Sequence, residues 1–441
     1  MKKLIQTIKN IFKIEELRTR ILYTLGLLVI YRLGSFIVLP GIDSAQLANL
    51  QQSSSEGLVG LLNMFSGGAF GNASIFALGV MPYISASIVI QLLGVFVPYF
   101  RKMQMEGESG RRKMNQLTRF LTIAIICIQG PAYMANLHQQ IPASAFVAVN
   151  QLGWSNFWFN IVSTLILLGG TMFVMWLGER ITDRGLGNGI SLIIMIGIIA
   201  RLPFAFFAEF IEKWTANAGG GLLIFIVEIV LLFFVFVAGI ALLQAVRKVP
   251  VQYAKRVIGN KQYGGVRQYI PMKLNAAGVM PIIFAQAIMF LPGLLGGLFS
   301  ESVKIAFQDM FGFWYNVVLA LLIIVFTYLY TAIAVKTNDM ADDLKRNGGF
   351  IPGLKPGAET ASKLDKILSY LTLPSSLALA IIAILPAFAS MAGVEASFAM
   401  FFGGTSLLIM VGVVIDTIQQ VNSYLLNRHY DGLMKTGKIQ K

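Results

Sequence analysis

The sequence predicts an all-α polytopic membrane protein, and three observations carry that prediction. Of its 441 residues, 56% are hydrophobic and only 13% are charged, too few charges to cover a soluble globule of this size. Ten apolar runs recur along the chain, each roughly 20 residues long, as a helix needs to cross ~30 Å of hydrocarbon. The runs are aliphatic and do not alternate, which excludes a barrel with its period of two.

The elements follow in chain order. Leu4, Ile5, Ile8, Ile11 and Phe12 recur at helical spacing opposite Lys2, Lys9 and Lys13, which predicts a helix lying on the membrane surface rather than a cleavable signal. The first span is 21–39. An uncharged stretch, "LVGLLNMFSGGAFGNAS" at 58–74, is too short to cross, and Gly67, Gly68 and Gly71 permit tight turns in it. Lipid does not tolerate exposed irregular backbone, so this stretch is either a re-entrant piece shielded by protein or an outer loop with an apolar patch. The remaining spans are 75–97, 118–137, 157–178, 186–208, 221–246, 274–298, 313–335, 370–391 and 397–418.

Charge sets the orientation. Thirty of the 35 Lys and Arg fall in segments on one side of the spans, and two, Lys213 and Lys304, on the other. The positive-inside rule then predicts cytoplasmic termini and an even number of spans. The net charge of +14 is accounted for by topology and requires no nucleic-acid partner. Arg32, Arg119 and Arg201 fall within spans. Arg32, Arg201 and Asp416 read as packed or near-interface polar groups.

Several chemistries find no residues to run on. His138 and His429 fall on opposite sides of the predicted membrane, without an HExxH motif or a Cys cluster, so no metal or other cofactor is expected. The single Cys127 reads as a buried thiol inside a span. Neither a GxSxG elbow nor a GxxxxGK[ST] loop occurs, and the chain does not read as an enzyme. An ion-coupled secondary transporter of small solutes is the alternative. Its best acidic candidate is Glu228, seven residues into the sixth span and about 10 Å deep, with no acidic relay around it.

Two long composite motifs decide between these classes. "IFALGVMPYISASIVIQLL" (75–93) and "WLGERITDRGLGNGISLII" (176–194) resemble the signature stretches of the SecY family, the channel-forming subunits of bacterial protein-translocation complexes. Further similarity runs through "EGESGRRK" (106–113), "GTMFVMWLGE" (170–179), "YAKR" (253–256), "NAAGVMPIIFA" (275–285), "FIPG" with "KPG" (350–357) and "FGGTSLLI" (402–409). The resemblance covers almost the full length.

The resemblance implies two pseudo-symmetric five-helix halves, 1–208 and 221–441, around a central hourglass pore and hinged at 209–220. It makes the half-span near 60–74 a plug, centred on Asn63, Met64, Phe65, Ser66, Gly67, Gly68 and Ala69. The aliphatic pore ring would be Val80, Ile84, Ile190, Ile194, Ile283 and Ile409. Within it Val80 and Ile84, and again Ile190 and Ile194, are four apart and share a helix face. Ser85, Gln91, Gln129 and Gln286 fall in the spans of the implied lateral gate, where uncharged polar groups form weak latches or pack helices at ~1 kcal/mol each.

The two long basic loops, 247–273 and 336–369, carry thirteen Lys and Arg, more than orientation needs, and "GGFIPGLKPG" has the punctuation of ordered turns. A docking platform is expected there, with Lys255, Arg256, Lys261, Arg267, Lys345, Arg346 and Lys355 as the contacts. In the family such loops bind the SecA ATPase or the ribosome, and SecE and SecG are companion membrane subunits. Signal peptides, unfolded polypeptides and membrane lipids complete the implied partners, in the bacterial cytoplasmic membrane. Two features depart from the family pattern: Lys355 stands where an Arg is usual, giving up the bidentate fork, and Glu228 has no counterpart.

Overall fold

Backbone surrounded by lipid has to satisfy its own hydrogen bonds, and each of the ten apolar runs carries a helix. The computed structural model describes residues 14–47, 57–150, 153–215, 221–253, 256–258, 261–263, 267–299, 307 and 309–436. Besides a single turn at Val147–Asn150, the helices are α1 (Glu15–Gly34), α2 (Gly57–Phe65), α3 (Met81–Phe96), α4 (Pro98–Met105), α5 (Glu108–Gln140), α6 (Asn156–Arg184) and α7 (Gly189–Thr215). They continue with α8 (Gly221–Gln244), α9 (Met280–Phe299), α10 (Phe313–Ala334), α11 (Thr337–Arg346), α12 (Ala358–Met391), α13 (Ala396–Ala399) and α14 (Gly404–Thr436).

Among the described residues, seven helices are long and apolar enough to cross a membrane. In addition α3 and α4 form a pair bent by 97°, and Met280–Met289 of α9 is a shorter apolar helix. The chain is therefore a multi-pass membrane protein. α8 shows the physics most clearly: Leu223, Ile226, Phe233 and Phe234 are exposed, and of its residues only Phe225, Glu228, Gly239 and Leu242 are buried. A helix apolar on every face belongs in lipid. Local signals fix the ends: Pro82 lies in the first turn of α3, where its missing N–H costs nothing, and Ser155 caps α6 by accepting from the Trp158 N–H.

The chain divides into two compact units. The first comprises the described residues up to Gly221, the short segment Glu395–Phe398, and the residues from Ile409 onward. In it α5, α6 and α7 pack in series, with α3 on α5 and α1 on α6. A core of Leu39, Phe70, Tyr133, Met134, Leu137, Phe146, Phe159 and Leu167 fills one end. Small residues let the helices close up: a Cβ on Gly130 would lie 2.7 Å from Thr164 Cγ2. Arg119 of α5 pairs with Glu179 of α6 at 2.7 Å.

The second unit comprises Leu222–Val394 and Ala399–Leu408. α10 packs between α9 and α12, and Phe284 meets Phe326 and Tyr330 edge to face. The two basic loops join in one sheet. β1 (Val246–Tyr253) pairs antiparallel with β4 (Arg267–Lys273) over the register Val246↔Lys273 to Gln252↔Arg267, and β5 (Gly349–Phe350) adds to its other edge through Gln252↔Phe350 and Tyr253↔Gly349. The short strands β2 (Arg256–Ile258) and β3 (Lys261–Tyr263) form a separate ladder. Val249, Val251, Met272, Leu344, Ile351, Leu364 and Leu368 make a small core for this platform.

Three expectations change or fall outside the structure. Cys127 is exposed on α5 rather than buried: in lipid a small apolar thiol needs no protein cover. α7 continues to Thr215, so 209–215 of the expected hinge is helical, held in part by the Glu209–Lys213 pair one turn apart; 216–220 lies outside the described residues. The surface helix expected at the N-terminus also lies outside them up to residue 13.

Candidate functional site: a buried glycine turn and its cradle

The half-span has a built seat inside the first unit. α2 ends at Phe65, and 66–80 continues as successive turns rather than helix. Gly67 and Gly68 take φ of +66° and +93°, values that side chains resist. Asn63 organises the turn: its carbonyl accepts from the Gly68 N–H at 2.7 Å and its Oδ1 from the Gly71 N–H at 2.8 Å. Ser66 Oγ donates to the Asn63 carbonyl and accepts from the Phe70 N–H. Asn63, Met64, Phe65, Ser66, Ala69 and Phe70 are all buried, so the irregular backbone is shielded by protein, as lipid demands.

Side chains from two long helices reach carbonyls of these turns, and a third helix packs against them. Tyr31 Oη of α1 donates to the Ser66 carbonyl at 3.0 Å, and Tyr133 Oη of α5 to the Phe70 carbonyl at 2.9 Å. Arg32 Nη1 donates to the Gly67 carbonyl, and its guanidinium lies over the Phe36 ring at 4.7 Å from the centroid. From α7, Gly197 meets Gly67 backbone to backbone, and Arg201 flanks Gly68, with Nε 3.5 Å from where a Cβ would stand. Strand-like contacts pin the far end: Leu39 N–H donates to the Ala73 carbonyl and Ile75 N–H to the Ile37 carbonyl.

The sequence reading missed most of this cradle. Arg32 and Arg201 read as packed or near-interface charges because their contacts are backbone groups of a distant segment. One signal was present: Ile190, Ile194, Gly197 and Arg201 recur at i, i+4, i+7 and i+11, one face of a helix, so the face bearing two ring candidates runs on to the glycine and the arginine.

The other named residues lie as follows. Val80 is the buried N-cap residue of α3, and Ile84 is half-buried one turn on. Ile190 is half-buried at the start of α7, with Ile194 buried one turn on, and Ile409 is buried in α14; these five belong to the first unit and Ile283 to the second. Gln91 donates to Ser87 Oγ within its own helix at 3.1 Å, and Ser85 and Gln129 are half-buried on α3 and α5. Gln286 is buried on α9, with Oε1 unpartnered among the described residues.

Lys345 and Arg346 are exposed at the end of α11, and Lys355 is exposed in the turn before α12 with its N–H donating to Glu359 Oε2. Arg256 lies in β2, Lys261 in β3 and Arg267 at the start of β4, whereas Lys255 lies outside the described residues. Glu228 is buried at the edge of an apolar cavity of about 380 Å³ between α8 and α12, lined also by Leu231, Phe388 and Phe402.

Comparison with known proteins decides the family. The SecY family model matches residues 74–418. The chain belongs to the SecY family. It is 42% identical to the protein translocase subunit SecY of Halalkalibacterium halodurans, over 98% of this chain and 100% of that protein. The Streptomyces coelicolor protein of the same name is 40% identical over 96% and 98%. Among solved structures, one described as a protein conducting channel superposes with a TM-score of 0.62 at 17% identity, covering 92% of each chain. A Sec61 chain from a canine ribosome-channel complex gives 0.59 at 16%, again over 92% of each. The SecY-family chain is thus a protein-translocation channel subunit, and the small-solute transporter reading is set aside.

Proposed function

We propose that this chain forms a gated pore in the bacterial cytoplasmic membrane, both termini inside, through which unfolded secretory polypeptides cross and from which apolar segments leave sideways into lipid. The observation that carries the reading is the irregular 66–80 segment, buried within the first unit and held by Tyr31, Arg32 and Tyr133. A segment held by a few side-chain contacts to its backbone can leave its seat without unfolding the helices around it, which is what a plug must do.

In this reading Val80, Ile84, Ile190, Ile194, Ile283 and Ile409 form a dewetting ring that excludes ions and yields around a passing chain. Residues 1–208 and 221–441 are the two halves, and Ser85, Gln91, Gln129 and Gln286 are weak polar latches of the lateral gate. The chain is a passive conduit without catalysis of its own, and the driving energy comes from partners: SecA or a translating ribosome docking on the basic loops, with SecE and SecG beside the channel.

The test is single-channel conductance of the complex that co-purifies with the chain, with and without residues 60–70, combined with crosslinking of a stalled secretory polypeptide to probes at Ile84 and Ile190. Large transient openings in the deletion and crosslinks at both ring positions are expected. A deletion as quiet as the native channel, together with no crosslinks, overturns the reading.

A further inference from the structure

The two arginines beside the glycine turn are not equivalent, and the difference gives them opposite roles. Arg32 has found acceptors: the Gly67 carbonyl and the face of Phe36. Arg201 has not. Among the described residues no acceptor or carboxylate meets its guanidinium, although it is half-buried, against Gly68, and within electrostatic reach of Arg32. Even a half-buried cation without a counter-charge is costly in membrane-embedded protein, and a like charge beside it adds to the cost.

Seating the glycine turn therefore changes the two residues in opposite senses. For Arg32 it supplies a carbonyl, a hydrogen bond to a charged donor. For Arg201 it lays Gly68 across the guanidinium and offers no acceptor in exchange. With the turn gone, water reaches both.

We infer that Arg32 is the residue that retains the plug and Arg201 a charge that keeps it releasable, so that the closed state is set by a retaining bond opposed by a partly desolvated cation. The inference rests on the plug reading above and deepens it. Both are positioning residues, acting through the turn rather than on the transported chain.

Opposite signs make the test sharp. The complex carrying Arg32→Gln is expected to open spontaneously about tenfold more often than the native one, the lower end of the range for a hydrogen bond to a charged group. Arg32→Lys, keeping the charge without the fork, is expected to fall between. Arg201→Met, unbranched and of similar reach, is expected to open less often than the native channel and to fail in export of a reporter with a weakened signal sequence while exporting one with a strong signal. The double variant returns towards native. Arg201→Met that leaks as Arg32→Gln does, or that exports the weak-signal reporter normally, overturns the inference.

Deleting residues 60–70 separates the two levels. If the deletion opens the channel and abolishes the effect of Arg201→Met, both stand. A deletion that opens the channel with Arg201→Met still differing from native removes the inference and leaves the plug; a deletion that stays quiet removes both.

Discussion

Gly67 and Gly197 approach so closely that neither has room for a side chain: a Cβ on Gly67 would lie 2.9 Å from Gly197 Cα, and one on Gly197 would lie 3.0 Å from Gly67 N and 3.1 Å from its Cα. The contact is backbone against backbone, so no flexible group can move aside. The turn sits flush on α7, the helix that also bears Ile190 and Ile194.

Gly197→Ala is accordingly expected to lift the turn by a few tenths of an ångström and to raise the frequency of spontaneous openings, overpacking costing about 1–3 kcal/mol. Gly67→Ala adds left-handed backbone strain of about 1–2 kcal/mol at φ +66° and should leak more. Conductance of the two variants side by side checks the order.

Tyr31→Phe and Tyr133→Phe each remove one hydrogen bond from a buried carbonyl, Ser66 and Phe70 respectively, leaving it only its turn bond from the Ala69 or Ala73 N–H, at about 1 kcal/mol apiece. The expected outcome is faster labelling of an Ala69→Cys thiol by a membrane-impermeant reagent, additive in the double variant. Cys127, exposed and the only natural thiol, is first replaced by Ser.

How much of this was legible beforehand depends on where each signal sits. The spans could be read because twenty apolar residues announce themselves without context. The end of α1 could not: the apolar run continues to 39, but the helix stops at Gly34 because Leu39 and Ile37 are drawn into contacts with Ala73 and Ile75. Tyr31 and Tyr133 were invisible for a related reason, since a hydroxyl's target here is a carbonyl that every residue possesses. The sheet was partly legible: Val249 and Val251 are buried while Lys248 and Pro250 are exposed, the period of two that marks a half-buried strand. An ordered platform was expected in these loops; that one loop supplies an edge strand to the other was not.

Glu209 offers a test away from the turn. Its carboxylate is fully buried, pairs with Lys213 Nζ at 3.3 Å, and accepts from the Glu395 N–H at 2.8 Å. Phe398, also fully buried, meets Phe206 of the same helix as Glu209. Glu209→Ala removes both the ion pair to Lys213 and the acceptor for the Glu395 N–H and should destabilise the first unit by about 1–3 kcal/mol, read as a lower thermal unfolding midpoint in detergent. Glu209→Gln, which keeps an acceptor for Glu395, should lose less.

Reversing charge at Lys345, Arg346 and Lys355, all exposed, is expected to weaken binding of the ATPase or ribosome by an amount that shrinks as salt rises, since exposed charges are screened. Closed-channel conductance should be unchanged. Equilibrium binding at two ionic strengths, with conductance as the control, distinguishes docking charges from charges that only orient the chain.

The assignment of Glu395–Phe398 and the chain from Ile409 onward to the first unit bears on how the polypeptide can be cut. A gene divided between codons 215 and 221 would encode two fragments, and the first would lack part of its own compact unit, which is carried at the far end of the second. Co-expression of both fragments should restore export where the first fragment alone stays protease-sensitive, making this channel a natural substrate for split-gene complementation.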